Sequence, residues 1–240
     1  MQPSFVTPAV PERPRSAWSL LRDALRRPGG RRALSVLSLL LFLAGVATFA
    51  YPVGTDLYSR HQQGNLHSQF GGTNYTERYT THSIPGGDVL TKLVIPRKGI
   101  ELTVLVVMGT TPVALRAGAG AGHYDGTPLP GEAGNVGIAG HRTTFGRPFN
   151  HLDELGPGDQ VLLYTPTKIY HYVAVKRFAG HANPWVTTPK DISVIENLPG
   201  QHALTLTTCN PKGSARQRLV LRLELDPTLT EDVRKHGPVR

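Results

Sequence analysis

Two side chains with reactive potential stand nine positions apart near the C-terminus: Cys209, the only cysteine among 240 residues, and Arg218. A thiolate is a strong nucleophile, and a neighbouring cation favours it over the neutral thiol. The pattern around the pair says how they would meet. In Ala203-Leu-Thr-Leu-Thr-Thr-Cys209, Leu204 and Leu206 fall on one face of a strand and Thr205, Thr207 and Cys209 on the other. Asn210 to Ser214 carries turn residues, and in the run that follows Leu219, Leu221, Leu223 and Leu225 alternate with Arg218, Val220, Arg222 and Glu224. Paired as a hairpin, the two strands place Cys209 and Arg218 on one polar face, with the thiol turned from the apolar side. The ordinary alternatives are a buried cysteine packing as a small hydrophobe and a solvated strand arginine, as Arg216 and Arg222 would be.

A cysteine nucleophile needs a group that handles protons, and histidine suits the task because its pKa lies near neutrality. Ten histidines compete for it. His61 and His67 fall in a lead-in segment and His236 in the tail, while His151, His171, His181 and His202 have no motif beside them. His123 precedes a loop. His141 ends an apolar strand with a glycine before it, and His123 is its main rival.

These residues need a scaffold of strands. Val89 to Ile95, stopped by Pro96, and Ile100 to Val107 read as strands, as do Gln160 to Thr165 and Ile169 to Phe178, the last two joined by a hairpin-length link. Residues 118–131 are rich in glycine and proline and read as loop, with no phosphate-cradling ending. Residues 148–155 fit about two helical turns between Pro148 and the Gly156-Pro-Gly158 stop. Residues 179–202 form a long connection of the kind that often carries function. Many short strands with little helix predict an all-β fold, a closed or nearly closed antiparallel barrel.

Residues 33–51 are apolar and free of charge, long enough for a bilayer span of about 20 residues. Seven arginines and two acids precede the span, which predicts an uncleaved signal anchor with a cytoplasmic N-terminus and the remainder outside; a cleaved signal peptide is the alternative. The formal charge of +9 is thereby mostly located, since residues 1–32 supply +5 of it. The mildly basic remainder shows no stripe interleaved with aromatics, so nucleic-acid binding is not expected. Outside the membrane a lone cysteine cannot staple its own chain, leaving Cys209 a free or intermolecular thiol. The expected organisation is a basic segment 1–32, a membrane anchor 33–51, a loosely ordered stalk 52–88, a catalytic domain 89–226 and a polar tail 227–240.

Thr205-Leu-Thr-Thr-Cys209, followed by Arg218 before an apolar strand, resembles the signature of the sortases, cysteine transpeptidases that anchor proteins to Gram-positive cell walls. Asn135-Val-Gly-Ile-Ala-Gly-His141-Arg-Thr-Thr-Phe-Gly146 is similar to the segment bearing the sortase histidine, and the likeness covers most of 89–226. It implies an eight-stranded barrel, Cys209 as nucleophile, His141 mainly as general acid, and Arg218 as oxyanion and substrate-orienting group. It further implies Thr207, Thr208, Arg142 and Trp185 as substrate-binding residues, although Trp185 could equally be core. The implied reaction cuts a C-terminal Leu-Ala/Pro-x-Thr-Gly sorting motif after threonine and passes the acyl group to an amine of a peptidoglycan precursor. Its partners are thus secreted proteins bearing that signal, the precursor amine, and membrane lipid around 33–51. Both steps are acyl transfers that require no metal or organic cofactor, and Asp153 and Glu154 are too close in sequence to make a calcium site alone. The motifs look most like class E, the actinobacterial housekeeping group, with departures at Phe145, where tyrosine is common, and Asn210, where histidine is common. The rivals are a class C-like pilin polymerase, whose usual Asp-Pro-aromatic lid is not found; a cysteine peptidase, which would only hydrolyse; and a wall-peptide binding module with an inert thiol.

Overall fold

The computed structural model describes residues 16–18, 28–72, 74–117 and 120–233, and the chain divides into two compact units, 1–50 and 51–240. Helix α1, Pro28–Gln69, contributes to both. Within the first unit Leu39, Leu40, Leu41 and Phe42 are each more than half exposed. Four consecutive positions reach every side of a helix, so this part is apolar all round, and α1 is long and apolar enough to cross a membrane. Most of the basic segment lies outside the described residues, as do residues 234–240 of the tail with His236. Pro52, which has no N–H to give the preceding turn, lies just past the boundary between the units.

The lead-in expected to be loosely ordered is instead helical: α1 continues to Gln69, and α2 follows at Tyr75–Thr80. Its inward face starts polar, with Thr55 and Ser59 buried, and ends apolar at Leu66 and Phe70. That mixture carries no regular apolar period. Between the two halves the Gln63 amide treats Leu105 as a paired strand would, donating to its carbonyl (3.1 Å) and accepting its N–H (2.8 Å). An otherwise open strand edge is closed by one side chain.

Among the described residues twelve strands follow: β1 Val89–Ile95, β2 Leu102–Met108, β3 Ala121–His123, β4 Gly134–Gly140, β5 Gln160–Tyr164, β6 Lys168–Ala174, β7 Arg177–Phe178, β8 His181–Ala182, β9 Trp185–Thr187, β10 His202–Asn210, β11 Gln217–Leu225 and β12 Glu231–Asp232. The main sheet runs β12-β6-β5-β1-β2-β3-β4-β10-β11-β9, and a further β6–β11 pairing closes eight of its strands into a ring. The expected eight-stranded barrel is therefore present, but it is mixed, not antiparallel. β2 and β3 run parallel, as do β4 and β10. Parallel neighbours require a crossover, supplied in the first case by helix α3, Pro112–Ala117, and in the second by the chain from β5 to the 3-10 turn Ile192–Ile195.

Leu93, Val106, Ile138, Leu163, Leu206 and Leu221 fill the barrel interior. The opposite face of β2 is covered as well: Leu105 and Val107 pack with Leu66, Phe70 and Tyr75, which explains why β2 reads as an unbroken apolar run. Other local differences follow from packing. The loop expected over 118–131 contains β3. Residues 148–155 form turns and one 3-10 turn, Leu152–Glu154, in place of two α-turns. Phe149, Leu152 and Leu155 are all buried, and their spacing of three matches the 3-10 period. The strand expected to reach Phe178 stops at Ala174, and Arg177–Phe178 pairs with His181–Ala182 in a small separate hairpin.

Candidate active site

Strand register brings the reactive residues together. β10 and β11 pair antiparallel with Cys209 opposite Arg218 and Thr207 opposite Val220, so the expected hairpin forms and places the thiol and the guanidinium on one face. On the other side β4 runs parallel to β10 with Ala139 beside Thr207. His141 follows directly on the end of β4. Three adjacent strands thus bring His141, Cys209 and Arg218 to one end of the barrel, the last two on one face.

Cys209 is a free, half-buried thiol. The His141 backbone is pinned on both sides, its N–H donating to the Gly120 carbonyl (2.8 Å) and its carbonyl accepting from Phe149 (3.1 Å). Gly140 is required just before it: a Cβ there would come within 2.5 Å of the Phe149 ring. The imidazole lies against Phe145, with ring centroids 5.0 Å apart. Arg218 is half-buried, and its Nη1 donates to the carbonyls of Ala215 and Gln217 at 3.0 Å each, tying the guanidinium to the end of the hairpin.

Of the four residues expected against a peptide, three are buried. Arg142 is 4 % exposed; its Nη1 donates to the Cys209 carbonyl (3.2 Å) and the Asn210 side chain (2.6 Å), and its Nη2 pairs with Asp153 (3.0 Å). The guanidinium fork braces the strand end that carries the thiol. Thr207 and Thr208 are each 2 % exposed, the first bonded to the Tyr124 hydroxyl (2.8 Å), the second donating to the Gly140 carbonyl (2.8 Å). The polar face of β10 is thus not a solvent face: Thr205 is fully buried and donates to Asn135. Trp185 alone keeps appreciable surface, its ring stacked against those of His181 (5.8 Å) and Phe178 (6.1 Å), on a strand paired with β11.

His123 occupies a different setting from His141. It is 1 % exposed, its Nε2 lies 2.9 Å from both the Pro128 carbonyl and the Thr127 hydroxyl, and burial pushes its pKa below the ordinary value. A ring so enclosed is a neutral structural part. Residues that sequence reasoning missed also touch the site. Asp56 of α1 accepts the Gly146 N–H (3.0 Å) and pairs with Arg147 (2.8 Å), while Tyr58 meets the Phe145 ring edge-on at 6.4 Å. Neither lies in a motif, and the only signal was their place on a helix that was itself not foreseen. Among the described residues, no three His, Cys, Asp or Glu side chains gather as a metal-holding group.

Comparison with known proteins agrees with this geometry. Residues 93–226, over half of the chain, match the Sortase domain family. The chain is 31% identical over 151 residues to sortase SrtE1 of Streptomyces coelicolor, a match covering 58% of this chain and 41% of that protein. Sortase E of Streptomyces avermitilis superposes with a TM-score of 0.54 at 33% identity, over 65% of this chain and 97% of that one. A sortase D5 of Clostridium perfringens gives 0.57 at 26% identity, over 70% and 98%. The chain spans less than half the length of the first of these, yet nearly the whole of the two solved structures lies within it. By the family match over most of its barrel and by the class E relatives around it, this chain belongs to the sortase family.

Proposed function

We propose that this chain is a membrane-anchored cysteine transpeptidase that attaches secreted proteins to the cell wall. The observation that supports the reading is that three neighbouring strands of a sortase-family barrel end together at Cys209, Arg218 and His141, with Cys209 directly opposite Arg218. The Cys209 thiolate attacks the threonine carbonyl of a C-terminal Leu-Ala/Pro-x-Thr-Gly motif. The tetrahedral oxyanion takes hydrogen bonds from the Arg218 guanidinium, a donor worth about 3 kcal/mol in comparable acyl-transfer sites. As the carbon–nitrogen bond breaks, His141 gives its proton to the departing glycine amine, leaving a threonyl thioester on Cys209. An amine of a peptidoglycan precursor then attacks the thioester and loses a proton to His141. The new amide leaves, and the thiolate is restored. The apolar half of α1 anchors the enzyme, and the arginine excess before it orients the N-terminus toward the cytoplasm.

Trp185, on the strand flanking Arg218, borders the peptide, and Arg142, Thr207 and Thr208 support the groove from behind. The test is ligation by the full chain in detergent micelles, using Leu-Ala-x-Thr-Gly and Leu-Pro-x-Thr-Gly peptides with an added amine. Amide product that requires the amine supports transfer; hydrolysed peptide alone would make the chain a peptidase, and no turnover of either peptide would point to a binding module.

A further inference from the structure

The loop that follows His141 is held from outside the barrel. Phe145, Gly146 and Arg147 are three consecutive residues with positive φ, +51°, +76° and +50°, a conformation that only the glycine adopts readily. Packing does little to impose it on residues 146 and 147, which are exposed. Gly146, Arg147 and Pro148 stand as a partition between two clefts, one of about 360 Å³ bounded by Ile100, Leu102 and Leu152, the other of about 480 Å³ bounded by Asp56, Gln63 and Val104. The turn is tied within its own loop, where the Arg147 N–H donates to the Thr144 carbonyl (3.1 Å) and the Asn150 N–H to the Arg147 carbonyl (3.0 Å), and from outside that loop by α1. One Asp56 oxygen accepts the Gly146 N–H and the other pairs with Arg147, while Tyr58 sets its ring edge against Phe145. Phe145 in turn lies on the imidazole. The chain of contacts is continuous from Tyr58 through Phe145 to His141.

We propose that Asp56 and Tyr58 are positioning residues for the reaction, fixing the 145–147 turn so that Phe145 holds the His141 ring in its working orientation. The helix that continues from the apolar anchor is then a functional part of the active site. This rests on the assignment of His141 as the proton-transfer group. The prediction is specific about which parameter moves: the chemistry slows while peptide binding is retained, because neither residue needs to touch the peptide.

The experiment uses the full chain in detergent micelles with the sorting-motif peptides and an amine. Asp56→Ala is expected to lower kcat tenfold or more and Tyr58→Ala at least threefold, with KM within twofold of wild type. Tyr58→Phe is expected to restore the rate, since the contact is made by the ring and not the hydroxyl. In the same chains labelled at histidine, both alanine variants should move the His141 ring-proton signals downfield as the Phe145 ring current is lost. Tyr58 is 44% exposed, so its truncation leaves a folded chain even if Asp56→Ala does not. Wild-type kcat and unmoved His141 signals in Tyr58→Ala would overturn the proposal, as would a rise in KM alone. His141→Ala separates the two failures: if it stays active, the assignment of His141 falls and this proposal with it; if it is inactive while the clamp variants behave as wild type, the clamp alone falls.

Discussion

At the scale of single residues, the division between side chains that react and side chains that brace makes opposite predictions for neighbouring arginines. In the proposed reaction Arg218 is the oxyanion donor, so Arg218→Ala should lower kcat by about 10²–10³-fold with little loss of stability, measured by peptide turnover and thermal melting. Arg142→Ala should instead cost roughly 2 kcal/mol of stability, because the Cys209 carbonyl, Asn210 and Asp153 lose a charged partner at once. Arg142→Lys should recover little of it, since a single ammonium cannot reproduce the fork. Alternation along the sequence put Cys209 and Arg218 on one face, as the strand register has them, whereas His141 was singled out among ten histidines mainly by the resemblance of its segment to the one bearing the sortase histidine. It could not show that Arg142, Thr207 and Thr208 are buried, since alternation tells which face a residue takes but not whether another element covers that face. The buried Thr205–Asn135 bond marks such a cover.

At the scale of elements, the C-terminal half of α1 behaves as part of the barrel. Gln63→Ala removes both bonds to Leu105 and should cost about 1–2 kcal/mol, read most directly as faster hydrogen exchange at the Leu105 amide. Leu66→Ala should cost about 2–3 kcal/mol by opening the cluster against Leu105 and Val107. Leu40→Ala, on the exposed apolar half, should leave barrel stability unchanged. β10 and β11 were legible because apolar and polar residues alternate along them, although both of their faces are buried. The helix over 52–69 was not, because its inward face begins with Thr55, Ser59 and Gln63, and a polar face bonded to a strand edge leaves no periodic apolar trace. The unbroken apolar run of β2 was the available hint, since a strand apolar on both sides requires a cover on both. Parallel pairing of β4 with β10 was equally hidden, as it depends on where a distant segment docks.

At the scale of the whole molecule, stability should fall on the acid side for an identifiable reason. Burial holds the His123 pKa below its ordinary value of 6.5, against smaller upward pulls from its bond to Pro128 and from Asp125 and Glu132. The unfolded chain therefore binds a proton that the folded chain refuses, so the contribution is complete above about pH 6.5 and is lost as pH drops from there toward the folded-state pKa. Thermal midpoints across this range should decline more steeply for wild type than for His123→Gln. In the proposed reaction Cys209 carries the acyl group, and intact-mass measurement on the full chain with a sorting-motif peptide reads it directly. An adduct of the threonyl fragment should appear on Cys209, convert to amide product when an amine is added, and be absent from Cys209→Ala. Ligation that persists in Cys209→Ala, or an acyl group found on any other residue, would contradict the assignment.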